Sequence, residues 1–464
     1  MLVCHLKPLL VWFLLALILL KIDNRMLYRI LRVIVAIGIK LYYREIKVKN
    51  AKNFNVDGPC IILANHPNTL MDAWMVGYVT KQPVYFMAKA SFFSSPLKQK
   101  VLRSLNMIPI NRKGEAVMKG VANKDSFEAC YQILEEGKTL AIFPEGTSYL
   151  ERHLRELKSG AARIALEAEN RNDGKLGVKI IPLGLNYLHA DQFRSDVLVN
   201  VGTPMEVSSY LDDYRNNVGL TAKRLTEQVR IRLEQLLVNS DLKEEEKLVE
   251  DLYAVFTSKY IKADHKGVEG QVKMMKQIRD ALEELRLREP WKIDEIRVSL
   301  TQIQWKLNKF EIRSDFLDRR FRSVMFLRQI FVSTVFLLIG LPLFIYGFIH
   351  NFFQYKLVDL LIPKLTKEPE YYAPLAVLMS LVLYPLVYLS FMFGANALFG
   401  LNFIEKFIYF WSMPLMGMFA FQFFNYLNHI AFKWKFVFLI INNKQTILEL
   451  QAEKNQLRDI LFEG

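Results

Sequence analysis

Cysteine is scarce. The chain has three in 464 residues, Cys4, Cys60 and Cys130, far apart and with no Cys-x-x-Cys among them. A set so sparse and odd in number excludes a disulfide framework and a cysteine zinc site, and points to a reducing compartment. Other chemical signatures are missing as well. There is no His-Glu-x-x-His, no glycine-rich phosphate loop and no Gly-x-Ser-x-Gly, so zinc-protease, nucleotide-hydrolase and lipase readings lose their usual support. Acidic residues are too few to balance the basic ones, leaving a net charge of +14. No zinc-finger, zipper or RNA-binding pattern accompanies that charge, so nucleic acid is not the expected partner. Anionic lipid headgroups or phosphorylated substrates suit it better.

What is abundant is apolar sequence, at 52% of the residues and unevenly placed. Residues 8–20 form an uncharged run too short to span a bilayer, since a helix of that length reaches only about 20 Å. No small-residue cleavage site follows it. The next run, from Met26, carries Arg29, Arg32 and Lys40 among apolar residues and reads as an interfacial helix on the cytoplasmic leaflet. Initiation at Met26 is an open alternative. Near the other end, residues 330–349, 373–404 and 407–432 are uncharged and long enough to span. Arg319, Arg320, Arg322 and Arg328 before the first run put the preceding domain on the cytoplasmic side. Lys433, Lys435 and Lys444 after the last run prefer that side too. Three crossings cannot satisfy both ends, whereas two or four can. A transporter reading lacks ionisable residues at the expected intramembrane positions, and His429 reads as interfacial.

Between these extremes, residues 60–65, 139–144, 178–187 and 197–202 look like buried strands ending in turn residues. Residues 123–137 and 157–170 have helical spacing. The expected fold is α/β, a mixed and largely buried sheet flanked by helices, followed by a helical connector and C-terminal transmembrane helices. The expected divisions are a membrane segment at 1–45, a catalytic domain at 46–215 and a charged helical connector at 216–325. Transmembrane helices follow at 326–435, then an amphipathic tail at 436–464. In the tail, Ile447, Leu450, Leu457 and Leu461 repeat like a short heptad and suggest a surface helix.

Chemistry concentrates at strand ends, where such sheets gather functional groups. In "NHPNTLMD", Asn65 and His66 end a strand and Asp72 follows in the same loop. A neutral imidazole can take the proton of an attacking hydroxyl, and a carboxylate can orient it and balance its charge. In "MIPINRKG", Arg112 and Lys113 follow an apolar run, and an arginine there can grip a phosphate with paired hydrogen bonds. In "IFPEGTS", Glu145, Gly146 and Thr147 place a carboxylate, a flexible turn and a hydroxyl after a strand. Backbone amides in such a turn can bind an anion. Lys158 is a further candidate, while "IIPLGLNY" reads as structural.

Order, spacing and local sequence of these blocks over about residues 45–210 resemble the glycerolipid acyltransferase family, the group related to 1-acylglycerol-3-phosphate acyltransferase. The family pattern is a His-x4-Asp block, an apolar block ending in Arg, Phe-Pro-Glu-Gly-Thr and a Pro-containing strand. Here these are His66 with Asp72, Arg112, Phe143 to Ser148, and Ile181-Pro182. The chain departs in having five residues between His and Asp, so the added one must sit in an irregular turn, with Pro67-Asn68 the expected place. The wider spacing and "LKSG" are similar to fungal glycerol-3-phosphate and dihydroxyacetone-phosphate acyltransferases.

The resemblance implies a membrane-bound enzyme of phospholipid biosynthesis, with its catalytic domain facing the cytoplasm. It would move a fatty acyl group from acyl-CoA or acyl carrier protein to a hydroxyl of lysophosphatidate or glycerol-3-phosphate. His66 and Asp72 would be catalytic. Asn65, Arg112, Lys113, Glu145, Gly146 and Thr147 would bind substrate. No metal or cofactor is expected, and the lipid bilayer is the expected partner. The competing reading is a catalytically inactive lipid-binding or scaffold protein of the same fold.

Overall fold

The structure, a computed structural model, describes residues 23–80, 82–111, 123–238, 243–256, 267–318 and 323–462. It divides into two compact units, residues 1–239 and 240–464.

The first unit opens with helix α1 (Asn24–Tyr42), capped by the Asp23 carboxylate. Leu27, Ile39 and Tyr42 are buried on one face, and Arg32 donates to the Thr80 carbonyl. The opposite face leaves Met26, Ile30, Val33, Ile34, Ile37 and Leu41 exposed, an apolar stripe at helical spacing beside exposed Arg25, Arg29 and Lys40. Strands β1 (Glu45–Lys49) and β2 (Cys60–Ala64) follow, then α2 (Thr69–Val79), β3 (Val84–Lys89), α3 (Pro96–Ser104) and β4 (Met107–Ile110). Next come α4 (Asn123–Glu135), β5 (Thr139–Ile142), α5 (Gly160–Arg171), β6 (Lys179–Tyr187), β7 (Asp196–Val201) and β8 (Met205–Glu206). Helices α6 (Leu211–Asn216) and α7 (Val218–Leu236) close the unit.

The strands form one sheet in the order β1-β7-β6-β2-β5-β3-β4, with β8 on β6. Pairings are parallel except β6 with β7 and with β8. This is the mixed, flanked sheet that the alternation of apolar runs predicts. β2, β5, β6 and β7 are nearly continuous apolar runs because both sheet faces are covered. Against one face, Ala161, Ala162, Ala165 and Ala168 of α5 bring that helix close to Ile61, Leu63, Leu140 and Ile180. Gly184 has no side chain because a Cβ there would stand 2.8 Å from Leu236 Cβ and 2.9 Å from the Leu236 carbonyl. Asn186 fastens the same helix end, donating to Leu236 O at 3.0 Å and accepting from Val238 N at 3.0 Å.

In the second unit α8 (Lys243–Phe256), α9 (Gly267–Arg288), α10 (Trp291–Lys309) and the short α11 (Ser314–Leu317) precede three long apolar helices. These are α12 (Ser323–Leu365), α13 (Tyr372–Phe399) and α14 (Phe403–Asn442), and each contains a stretch long and apolar enough to cross a membrane. α15 (Lys444–Phe462) is the last described helix. The tail repeat is not a surface stripe. Ile447, Leu450, Leu457 and Leu461 are buried with Lys454, on a helix that packs on α9, α10 and α11. The apolar run expected to stop at residue 349 continues as helix α12, which places His350 within it. That ring is buried, its Nε2 2.8 Å from Tyr409 Oη and its Nδ1 2.8 Å from Tyr346 O. An ionisable group therefore does lie inside the apolar helices, contrary to the sequence-based expectation.

Glu169 is fully buried in α5 and accepts from Gly177 N at 3.1 Å and Val178 N at 2.7 Å, holding the turn that feeds β6. Glu169→Ala would strand these donors, at about 1–3 kcal/mol for each buried group. The expected outcome is a clear fall in the thermal unfolding midpoint, followed by circular dichroism, with Glu169→Gln intermediate.

Candidate active site

Three parallel neighbours set the site. β2 lies between β5 and β6, with Leu63 level with Ile142 and Pro182. Their C-terminal ends therefore open at the same edge, and the loops after β2 and β5 meet there. Asn65 ties its loop to β6, its Nδ2 donating to Leu185 O at 3.0 Å and its Oδ1 accepting from Leu185 N at 2.8 Å. That paired grip gives Asn65 a backbone-holding position, where the sequence suggested substrate contact. His66 follows at once. Its backbone N–H donates to Glu145 Oε1 at 2.9 Å, and its carbonyl accepts from Tyr149 N at 3.3 Å. The His66 ring stacks on Phe143 at 4.1 Å and 10°.

The added residue between His66 and Asp72 is absorbed as irregular backbone. Thr69, the first residue of α2, has φ +41°, a left-handed conformation that β-branched residues rarely adopt. Its N–H donates to Ser148 Oγ at 2.8 Å, so the strained turn is held from the Phe-Pro-Glu-Gly-Thr-Ser loop. The kink thus centres on Thr69, one step beyond the expected Pro67-Asn68. It turns the first turn of α2 so that Asp72 points back at the loop.

Asp72 is fully buried. Its Oδ2 lies 2.9 Å from His66 Nδ1 and accepts from Asn68 N at 2.7 Å, while its Oδ1 accepts from Tyr187 Oη at 2.8 Å. It is therefore both a helix-start carboxylate and the partner of the histidine. A carboxylate offers no proton, so Nδ1 carries the hydrogen and Nε2 keeps its lone pair. Among the described residues Nε2 has no hydrogen-bond partner, and the His66 side chain retains 12% exposure. Behind Asp72, burial and the negative charge of that carboxylate hold the Tyr187 phenol well above its ordinary pKa, so it stays a donor. Burial does the same to Tyr43, which accepts from Asn68 Nδ2 at 3.3 Å.

Glu145, Gly146 and Thr147 form the facing turn. Gly146 has φ +76°, and a Cβ there would stand 2.4 Å from Lys158 Nζ, so the lysine head lies directly over the turn. The Lys158 backbone N–H donates to Pro144 O at 2.9 Å. The structure thus brings His66, Asp72, Glu145 and Gly146 together, with Thr147 following in the turn and Lys158 beside it. Arg112 and Lys113 lie outside the described residues. Tyr187 joins the site without a sequence signal of its own, and Phe143 and Ser148 join it with no individual role implied by their block. Phe143 and Ser148 sit inside the recognised block, but the block that holds Tyr187 read as structural.

Burial raises the Glu145 carboxyl above its ordinary pKa, against the lowering by the His66 amide. The fold therefore favours the neutral form, and the stability this lends at low pH is lost as pH rises through the raised value. Glu145→Gln is uncharged at all pH values and keeps an oxygen for the His66 amide. Its unfolding midpoint is expected to exceed that of the wild type at about pH 8 and to converge with it near about pH 4. Midpoints measured across that range check the sign.

Comparison with known proteins bears on the same segment. A profile of the family described as Acyltransferase matches residues 45–186. Glycerol-3-phosphate O-acyltransferase 1 of Saccharomyces cerevisiae is 35% identical over 85 residues, 18% of this chain and 11% of that protein. Glycerol-3-phosphate O-acyltransferase 2 of the same yeast is 32% identical over 111 residues, 23% of this chain and 15% of that one. The 1-acyl-sn-glycerol-3-phosphate acyltransferase of Borreliella burgdorferi is 26% identical over 178 residues, 38% of this chain and 65% of that one. The matched stretch is thus a small part of the yeast proteins. Over residues 45–186 the chain thus matches the Acyltransferase family model and is similar to glycerolipid acyltransferases.

Proposed function

We propose that this membrane protein transfers a fatty acyl group from an acyl thioester to a hydroxyl of a glycerol-phosphate acceptor, glycerol-3-phosphate or lysophosphatidate. The observation that carries the reading is the His66 imidazole, anchored through Nδ1 to buried Asp72 and left with Nε2 at the strand-end opening. Nε2 takes the proton of the acceptor hydroxyl as its oxygen attacks the thioester carbonyl. The carbon–oxygen bond forms, the carbon–sulfur bond breaks, and the imidazolium returns the proton to the leaving thiolate. Asp72 balances the imidazolium charge, and the Tyr187 phenol and Asn68 amide donate to that carboxylate and keep it aimed. Cys60 and Cys130 are buried, and burial pushes both thiols up, so neither suits the part of a nucleophile, and the transfer proposed is direct from thioester to acceptor. Glu145 and the Gly146-Thr147 turn position the glycerol end, with Lys158, Arg112 and Lys113 as cations for its phosphate. Acyl-CoA and acyl carrier protein are the candidate donors.

Membranes holding the wild type or His66→Ala, given labelled palmitoyl thioester on either carrier, test this with each acceptor separately. His66→Ala is expected to lower turnover by about 10²–10⁴. Product from glycerol-3-phosphate alone assigns the first acylation, and product from lysophosphatidate alone the second. Absence of any His66-dependent product with both carriers and both acceptors overturns the proposal in favour of a non-catalytic lipid-binding protein. In the same assay Tyr187→Phe is expected to lower kcat about tenfold or more with KM little changed, from about 1.5–3 kcal/mol for a hydrogen bond to a charged group. An equal loss from Tyr187→Ala and Tyr187→Phe supports the hydroxyl, while wild-type kcat in Tyr187→Phe contradicts its role.

A further inference from the structure

Basic residues flank both ends of the three apolar helices, yet three crossings would put those ends on opposite sides of a bilayer. The contacts inside the second unit resolve the conflict. α12 and α14 are antiparallel along their length. Ser333 Oγ lies 3.1 Å from Tyr426 Oη, Phe336 stacks on Phe423 at 5.4 Å, and His350 Nε2 meets Tyr409 Oη. Between these points Gly347 sits directly against Met416 O, where any Cβ would collide. The charged boundaries of the two helices coincide. Arg328 precedes the first contact on α12, and Lys433 and Lys435 follow the last on α14. At the other end Lys356 lies just beyond His350, and Glu405 and Lys406 lie just before Tyr409. From Arg328 to His350 is about 33 Å of helix, and from Tyr409 to Lys433 about 36 Å, each enough for one hydrocarbon core of about 30 Å.

α13 joins the far end of α12 to the start of α14, so both its ends belong to the side of the bilayer that His350 and Tyr409 mark. It is nevertheless apolar, with Leu378, Val382, Leu386, Phe393, Leu398 and Phe399 exposed. Tyr388 Oη donates to Asn351 Oδ1, and the Phe391 ring stands 4.6 Å from the His350 ring. These contacts hold its middle at that same far boundary.

We propose that α12 and α14 cross the membrane as an antiparallel pair, while α13 does not cross and is seated in the leaflet remote from the connector helices. Its partner is the acyl-chain layer of that leaflet, which covers the exposed leucines and phenylalanines that water would not. A separate set of contacts requires the same crossing number. Lys454 Nζ of α15 reaches Asp318 Oδ2 at 2.8 Å and Ser314 O at 3.2 Å, and Gln451 Nε2 donates to Leu317 O. Residues 314–318 immediately precede α12, and α15 immediately follows α14. Entry to and exit from the membrane are therefore on one face, with Arg328, Lys433, Lys435 and Lys444 together as the positive-inside tendency favours.

Single-cysteine substitutions in the full chain test the arrangement in sealed vesicles with a membrane-impermeant maleimide. The wild type sets the background from its own cysteines, and detergent sets full labelling. Lys367→Cys and Leu401→Cys flank α13, while Glu295→Cys on α10 and Gln445→Cys on α15 report the other face. The first pair is expected to label from one face and the second pair only from the opposite face. Labelling of residues 367 and 401 from opposite faces, of 295 and 445 from opposite faces, or of all four from one face overturns the proposal. Protease sites inserted at the same places decide any position that detergent leaves unlabelled.

Discussion

The site depends on one buried carboxylate. Asp72 has no contact with solvent, and an ion so placed is costly unless donors surround it. Three do, the His66 ring, the Asn68 amide and the Tyr187 phenol, and each comes from a different structural commitment. The ring requires the loop after β2, the amide requires the kinked start of α2, and the phenol requires the last residue of β6. Removing any of them leaves charge unmatched in a low-dielectric pocket. The strand order that sets β2 beside β6, and the irregular start of α2 at the left-handed Thr69, together bring these donors to the carboxylate. Glu145 plays the complementary part on the other neighbour, β5, by fixing the His66 backbone rather than its ring.

How much of this the sequence discloses follows from what is local. β2, β5, β6 and β7 are visible as apolar runs because both their faces are covered, whereas β1, "EIKVK", is half-exposed and carries charges at alternate positions. β3 is short and only partly buried and gives no such run, while β4, "MIPI", shows in the sequence only as the apolar stretch before Arg112. His66, Asp72 and Glu145 can be found because their blocks are recognisable in order. Tyr187 cannot, since its approach to Asp72 depends on the pairing of β6 with β2 across 115 positions of chain. Asn65 shows the converse: adjacent to the histidine, it serves the Leu185 backbone. In the second unit the tail heptad is plain in the sequence, but its partners α9, α10 and α11 lie over a hundred residues earlier, so its buried face is not.

His350 marks another limit of local reading. Hydropathy ends the first apolar run one residue short of it, but the helix continues, because Tyr409 and the Tyr346 carbonyl satisfy both ring nitrogens. Asn351 is likewise satisfied, donating to Gly347 O at 2.8 Å and Met413 O at 3.0 Å. Polar side chains at that depth are tolerable only when a second helix supplies partners. Glycines at positions 340 and 347 let α14 come close enough to do so.

The central claim is that Asp72 fixes the His66 imidazole with its hydrogen on Nδ1, leaving Nε2 as the acceptor. Nitrogen-15 chemical shifts of selectively labelled His66, in the full chain above the pH at which imidazoles ionise, test it directly. Nδ1 is expected to show the shift of a protonated ring nitrogen and Nε2 that of an unprotonated one, with the difference reduced in Asp72→Asn. A hydrogen on Nε2 in the wild-type chain would contradict the assignment and leave the site without a base at its opening.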